Sequence, residues 1–112
     1  MRAYENRSVI PVNPEYESLY QYHPGLIDLA MEIPLLKTPS RLTFPKKTAS
    51  TVFLGWEKII LPNDPKKTVL TILVVHDKRN QEPVYLLTPL TINSMDEALV
   101  VFGYYLERWG KE

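Results

Sequence analysis

The sequence predicts an α/β chain, more narrowly an α+β fragment in which an antiparallel β-meander is followed by an amphipathic C-terminal helix. Three observations favour this class. Residues 49–90 hold three runs rich in β-branched, aromatic and aliphatic residues, separated by polar turns. Residues 94–112 repeat apolar residues at helical spacing. Six of the ten prolines fall within residues 11–45, where they disfavour long regular elements.

Composition limits the function classes that remain. A chain of 112 residues with 45% apolar and 23% charged residues is globular in composition and long enough for one domain. It contains no cysteine, which excludes disulfide frameworks, thiolate zinc sites and cysteine nucleophiles. Its longest strongly apolar run, residues 69–75, is the size of a strand, so the sequence predicts no membrane span. The first ten residues lack the apolar core of a secretory signal.

The chain divides into four segments of one predicted domain. Residues 1–12 are predicted to hold a short strand. Residues 13–48 are predicted to be irregular and proline-rich, with one short helix near residues 25–32. Residues 49–90 form the predicted meander, and its middle strand is the most apolar and is expected to be central. The three predicted strands are residues 51–61, 68–76 and 84–88.

The fourth segment, residues 94–112, is predicted to be a helix. Ser94 and Glu97 have the spacing of a capping box, in which a side chain bonds a backbone N–H at the start of a helix. Apolar residues then recur with the period of an amphipathic helix. They are Ala98, Val101, Phe102, Tyr105 and Trp109.

The net charge of zero is the sum of three opposed blocks. Residues 37–79 carry nine basic and three acidic residues, whereas residues 1–36 and 80–112 each carry two basic and five acidic residues. Such asymmetry is typical of a surface that faces a polyanion, and ordinary solubilising lysines are the alternative explanation.

One group of polar residues on the predicted helix has a chemically suggestive spacing. Tyr105, Arg108 and Glu112 stand at i, i+3 and i+7, which puts them on one helix face. Arg108 and Glu112 also have the i, i+4 spacing of an ordinary surface ion pair. The spacing by itself leaves both interpretations open.

The segment VYLLTPLTINSMDEALVVFGYYLERWGKE resembles the end of the catalytic domain in DDE transposases of bacterial insertion sequences. The subclass concerned has a signature of Tyr, two residues, Arg, three residues, Glu and, after six more, Lys. Tyr105, Arg108 and Glu112 match its first three positions. The opening RAYENRSVI resembles the strand that follows the family's second catalytic aspartate, and residues 51–88 resemble the β-rich insertion that precedes its glutamate.

The resemblance implies a partial RNase H-like domain and a parent enzyme that cleaves DNA and transfers strands. In that family two aspartates and one glutamate hold two Mg²⁺ or Mn²⁺ ions. The resemblance makes Glu112 the catalytic, metal-ligating glutamate, and it makes Tyr105 and Arg108 contacts to the DNA backbone. It also makes seven basic residues candidate phosphate contacts. They are Lys46, Lys47, Lys58, Lys66, Lys67, Lys78 and Arg79.

The resemblance also sets expectations for activity and partners. It places both catalytic aspartates before Met1, and one carboxylate cannot hold two metal ions. We therefore expect this chain alone to lack nuclease and transposase activity and to bind Mg²⁺ or Mn²⁺ only weakly. The expected partner is DNA of the transposon ends, and no interaction with a membrane is expected. The parent enzyme is expected to be able to form a homodimer and to work in the bacterial cytoplasm, at the nucleoid. Two alternatives are a small non-enzymatic nucleic-acid-binding β module and a protein-interaction domain.

Overall fold

Five strands and two helices are found in the computed structural model, which describes residues 9–12, 24–43, 49–61, 65–78 and 82–109. The elements in chain order are β1 (Val9–Pro11), α1 (Pro24–Met31), β2 (Ser40–Thr43), β3 (Ala49–Ile60), β4 (Val69–Asp77), β5 (Val84–Thr88) and α2 (Met95–Trp109).

The strands form one sheet in the order β1-β5-β4-β3-β2. The pairs β2–β3, β3–β4 and β4–β5 are antiparallel, and the short β1 pairs parallel with β5. The predicted α+β class is thereby confirmed. The strand β4 lies in the middle of the sheet, as its composition predicted, and its residues from Leu70 to Val75 are all buried. A strand buried on both faces needs such a continuous apolar run.

Side-chain alternation along the strands divides the core into two clusters, one on each face of the sheet. On one face, α1 packs through Leu26 and Ala30 against residues of β4 and β5 such as Ile72 and Leu87. We call this the α1 face. The members of this cluster are Val9, Leu26, Ala30, Ile33, Leu61, Leu70, Ile72, Val74, Tyr85 and Leu87.

The opposite face, which we call the α2 face, is covered by the C-terminal helix. There Ala98, Val101 and Phe102 pack with the inward-facing residues of three strands. The strand residues in this cluster are Val52, Leu54, Leu73, Val75 and Leu86. The helix therefore packs on the meander itself.

A segment that follows α1 crosses over β3 on the α1 face. A Cβ atom added to Gly55 would collide with the carbonyl oxygen of Pro34 and would crowd the side chain of Ile33. Two residues later, the backbone N–H of Leu36 donates a 2.7 Å hydrogen bond to the carbonyl of Leu54. The absence of a side chain at Gly55 is what lets the two backbones approach so closely.

The structure differs from the sequence prediction in the segment 13–48. The expected short helix is α1, but the same segment also contains the strand β2, which was predicted to be irregular. Local sequence in Ser40–Thr43 carries little strand signal, and β2 exists through its register against β3, with Ser40 opposite Val52 and Thr43 opposite Ala49.

Candidate nucleic-acid interface

The start of α2 is set by the predicted capping box. The N–H of Glu97 donates to the Ser94 hydroxyl oxygen at 3.2 Å, and the N–H of Ala98 donates to the Ser94 carbonyl at 3.0 Å. The Glu97 carboxylate accepts a 2.7 Å hydrogen bond from the N–H of Asn93, one residue earlier than in the usual box. The cap therefore defines where the helix begins, and the apolar residues that follow it face the sheet.

Tyr105 lies on the inward side of α2, near the end of the helix. Its ring stacks on that of Phe102, with 6.0 Å between the centroids and 13° between the planes, and it borders the core of the α2 face. The side chain is half-buried, and desolvation by this burial raises the pKa of the Tyr105 hydroxyl above its ordinary value of 10.0. At neutral pH the hydroxyl is protonated, as in any tyrosine, and can donate a hydrogen bond.

Of the other two residues of the signature, the structure describes Arg108 as part of α2 and does not describe Glu112. Arg108 belongs to α2, three residues after Tyr105, so both residues lie in the last two turns of the helix. Glu112 lies outside the described residues.

Four of the seven basic candidates are described, and all four are exposed. Lys66 and Lys67 lie in the turn between β3 and β4, and Lys58 lies near the end of β3 that leads into this turn. Lys78 follows directly after β4, at the opposite end of the hairpin. The length of β4 separates the two groups by about 27 Å, since a strand rises about 3.3 Å per residue. The other three, Lys46, Lys47 and Arg79, lie outside the described residues.

The hairpin turn itself has an unusual backbone. Lys67 has a φ of 55°, which is the left-handed region that residues other than glycine rarely adopt. The N–H of Leu61 donates a 2.9 Å hydrogen bond to the carbonyl of Thr68, which closes the hairpin just beyond the Ile60–Val69 pair.

Lys78 takes part in an arrangement that the sequence pattern did not indicate. Its ammonium nitrogen lies 5.8 Å from the centroid of the Phe53 ring on the neighbouring strand. In the sequence Phe53 is only one of several apolar residues within the predicted strand 51–61. The contact between Lys78 and Phe53 can be predicted only when the register of β3 and β4 is known.

Two further features bear on the expected metal chemistry. An open groove of about 500 Å³ lies on the α1 face beside the second half of β3 and includes the carboxylates Glu32 and Glu57. Its lining residues are Leu29, Glu32, Pro34, Glu57, Lys58, Ile59 and Ile60. Among the described residues, no three side chains of His, Asp or Glu come together in a group that could hold a metal ion.

Comparisons of the chain with protein-family models, with curated proteins and with solved structures give no match. In the part of the chain that the structure describes, neither helix has the length and apolar character needed to cross a membrane.

Proposed function

We propose that this chain is the C-terminal part of the catalytic domain of a DDE transposase, a partial RNase H-like domain whose parent enzyme cuts and joins DNA. The observation that carries the proposal is the position of the signature. Tyr105 and Arg108 stand three residues apart on a helix that begins seven residues after the end of β5 and packs on the same sheet. Glu112 follows Arg108 at the spacing of the transposase signature.

The chemistry of Tyr105 supports a role at a DNA phosphate. The Tyr105 ring stacks on Phe102 and packs against the core of the α2 face, which restricts its motion, and its neutral hydroxyl is a hydrogen-bond donor. A phosphate oxygen is a strong acceptor for such a donor, and the permanently charged guanidinium of Arg108 suits the same partner. In this proposal the two side chains position the DNA backbone.

The parent enzyme's metal ions, Mg²⁺ or Mn²⁺, would supply activation of water or of a 3′-hydroxyl. The residues that the structure describes do not fit such a site, because they bring together no suitable group of ligands. In the proposal Glu112 is one ligand, and the two aspartates belong to other parts of the parent enzyme. We assign no catalytic step to this chain and expect it to leave DNA uncut.

The exposed basic residues at the two ends of the β3–β4 hairpin support binding to a long polyanion. Lys66 and Lys67 at one end and Lys78 at the other are about 27 Å apart along β4, roughly eight base pairs of B-form DNA. This spacing suits duplex DNA, and the resemblance to transposases makes transposon-end DNA the proposed partner. The parent enzyme is proposed to work in the bacterial cytoplasm and to be able to form a homodimer.

The proposal is tested by measuring the affinity of the intact chain for a fluorescently labelled 30-base-pair duplex, by anisotropy, over a series of salt concentrations. The variant is Arg108→Ala, and the matched control is Lys37→Ala, which removes one positive charge from an exposed position outside α2. We expect Arg108→Ala to weaken binding by about five- to tenfold near 0.1 M salt and to lower the salt slope by about 0.9. We expect Lys37→Ala to change affinity less than twofold.

Two results would contradict the proposal. One is an affinity for duplex DNA that does not fall as the salt concentration rises. The other is an equal effect of the two substitutions, which would mean that only overall charge matters. In a separate experiment, incubation of the chain with supercoiled DNA and Mg²⁺ is expected to give no nicked or linear product.

A further inference from the structure

We propose that Arg41, Thr51 and Lys78, with Phe53 beside them, form a second phosphate-binding site, on the α1 face of the sheet and opposite to α2. We call these four residues the basic corner. The site would take one phosphate of a DNA backbone. The identification of the polyanion as DNA rests on the proposed function, whereas the phosphate site itself rests on the geometry that follows.

The sheet register places three exposed side chains in one row. Arg41 of β2 lies opposite Thr51 of β3. On the other side of Thr51, the N–H of Lys78 donates a 3.3 Å hydrogen bond to the Thr51 carbonyl, so Lys78 continues the β4 register and lies opposite Thr51 as well. Residues directly opposite one another in antiparallel strands point to the same face. The hydroxyl of Thr51 is thus flanked by one cation on each side.

The spacing of this row suits a single phosphate. Neighbouring Cβ atoms across antiparallel strands are about 5 Å apart, so those of Arg41 and Lys78 are about 10 Å apart with Thr51 between them. Both long side chains can reach toward a group held above Thr51, the guanidinium as a fork of donors and the ammonium as a point charge. All three side chains are exposed.

Phe53 restricts the position of one of the two cations, the Lys78 ammonium. It stands two residues from Thr51 on the same strand and therefore on the same face. The Lys78 ammonium lies 5.8 Å from the centre of the half-buried ring, within the range of a cation–π contact. A lysine held by a ring loses less conformational freedom when it binds an anion than one that moves freely in solvent.

The strand register also places the charged and polar neighbours of the row on β3 and β4. Asp77 precedes Lys78 in the strand register and points to the opposite face. His76 lies directly opposite Phe53 and adds a third nitrogen-bearing side chain to this face. The segment that crosses β3 at Gly55 lies between this end of the α1 face and the groove that contains Glu57, so that carboxylate is on the other side of the crossing.

The basic corner is a different surface from the Tyr105–Arg108 face. The helix α2 packs on one face of the sheet, and the corner lies on the other. DNA that touches both sites would have to pass around the edge of the sheet, or two segments of DNA would have to bind. The corner therefore adds a contact that the signature residues do not explain.

Two measurements on the intact chain test the inference. The first is a titration with inorganic phosphate followed by ¹H–¹⁵N NMR, in which we expect the largest shifts at the amides of Thr51 and Lys78. The second is the affinity for the 30-base-pair duplex of Arg41→Ala, Lys78→Ala and Phe53→Leu, with Lys37→Ala as the matched charge control. We expect Arg41→Ala and Lys78→Ala each to lower the salt slope by about 0.9 and to weaken binding about five- to tenfold near 0.1 M salt. Phe53→Leu keeps both charges and an apolar side chain at this position, and we expect it to weaken binding by about two- to threefold through loss of the cation–π contact.

The outcomes separate this inference from the proposed function. Loss of affinity in Arg108→Ala, with no effect of Arg41→Ala or Lys78→Ala and no phosphate-induced shift at Thr51 or Lys78, would overturn the basic corner and leave the proposed function standing. Loss in the two corner variants with no effect of Arg108→Ala would support the corner and count against the proposed function. Phosphate-induced shifts at Thr51 without any effect of the corner variants on DNA affinity would overturn DNA as the ligand. Equal effects of Lys37→Ala and Lys78→Ala would overturn the site altogether.

Discussion

The ring of Tyr105 stacks on the ring of Phe102 at a centroid distance of 6.0 Å, and the Tyr105 side chain packs against the core of the α2 face. Phe102 belongs to the buried core, whereas Tyr105 is only half-buried. The Tyr105 ring therefore packs on a buried ring at the edge of an apolar surface. Such a position suits a donor that must be presented to a phosphate without local rearrangement.

The raised pKa of Tyr105 predicts how stability changes at high pH. The folded chain holds the Tyr105 proton more tightly than the unfolded chain, because burial disfavours the phenolate. This contribution to stability is fully present below the unfolded pKa of about 10 and is lost as the pH rises through the folded pKa. Urea unfolding between about pH 9 and pH 11 measures it. We expect Tyr105→Phe to remove part of the decrease. Identical pH profiles for wild type and Tyr105→Phe would contradict the assignment.

Gly55 in β3 and Gly103 in α2 predict opposite results for the same substitution. Gly55→Ala places a methyl group against the Pro34 carbonyl, and we expect it to lower the free energy of unfolding by about 2–4 kcal/mol. Gly103→Ala meets nothing within 4 Å and replaces a poor helix former, so we expect a gain of about 0.5–1 kcal/mol. Thermal or urea unfolding of both variants measures these changes in the free energy of unfolding. A neutral Gly55→Ala would mean that the segment crossing β3 is not held as the structure places it.

The left-handed backbone at Lys67 predicts a stabilising substitution. Lys67→Gly relieves the steric cost of φ 55°, and we expect the chain to gain about 0.5–1 kcal/mol of unfolding free energy. The control is Lys66→Gly at the neighbouring position of the turn, which lacks a positive φ. It is expected to be neutral or destabilising. A loss of stability in Lys67→Gly as large as that in Lys66→Gly would show that this turn has another conformation.

The parts of the fold that local sequence determines were predictable. The start of α2 follows from Ser94 and Glu97, which lie three residues apart, and its buried face follows from residues spaced by three and four. The position of β4 in the sheet follows from a run of apolar residues that needs cover on both sides.

The remaining features depend on contacts between residues that are distant in sequence. Strand β2 forms because it pairs with β3, and the four residues Ser40–Thr43 carry too little information to predict this alone. The basic corner has the same origin, since Arg41 and Lys78 are brought to either side of Thr51 by two separate registers. A list of basic residues along the chain therefore named Lys78 but gave no reason to include Arg41 or Phe53.

The central claim is that the Tyr105 side of α2 contacts DNA, and removal of one hydroxyl group tests it most directly. Tyr105→Phe and Tyr104→Phe make the same chemical change on adjacent residues, one half-buried beside Phe102 and the other 48% exposed on a different side of the helix. The measurement is the affinity of each variant for the labelled duplex at one salt concentration, with thermal unfolding to verify the fold. We predict that Tyr105→Phe weakens binding about tenfold, the effect of losing one hydrogen bond to a charged acceptor, and that Tyr104→Phe binds like wild type. Unchanged affinity in Tyr105→Phe, or an equal loss in Tyr104→Phe, would contradict the claim.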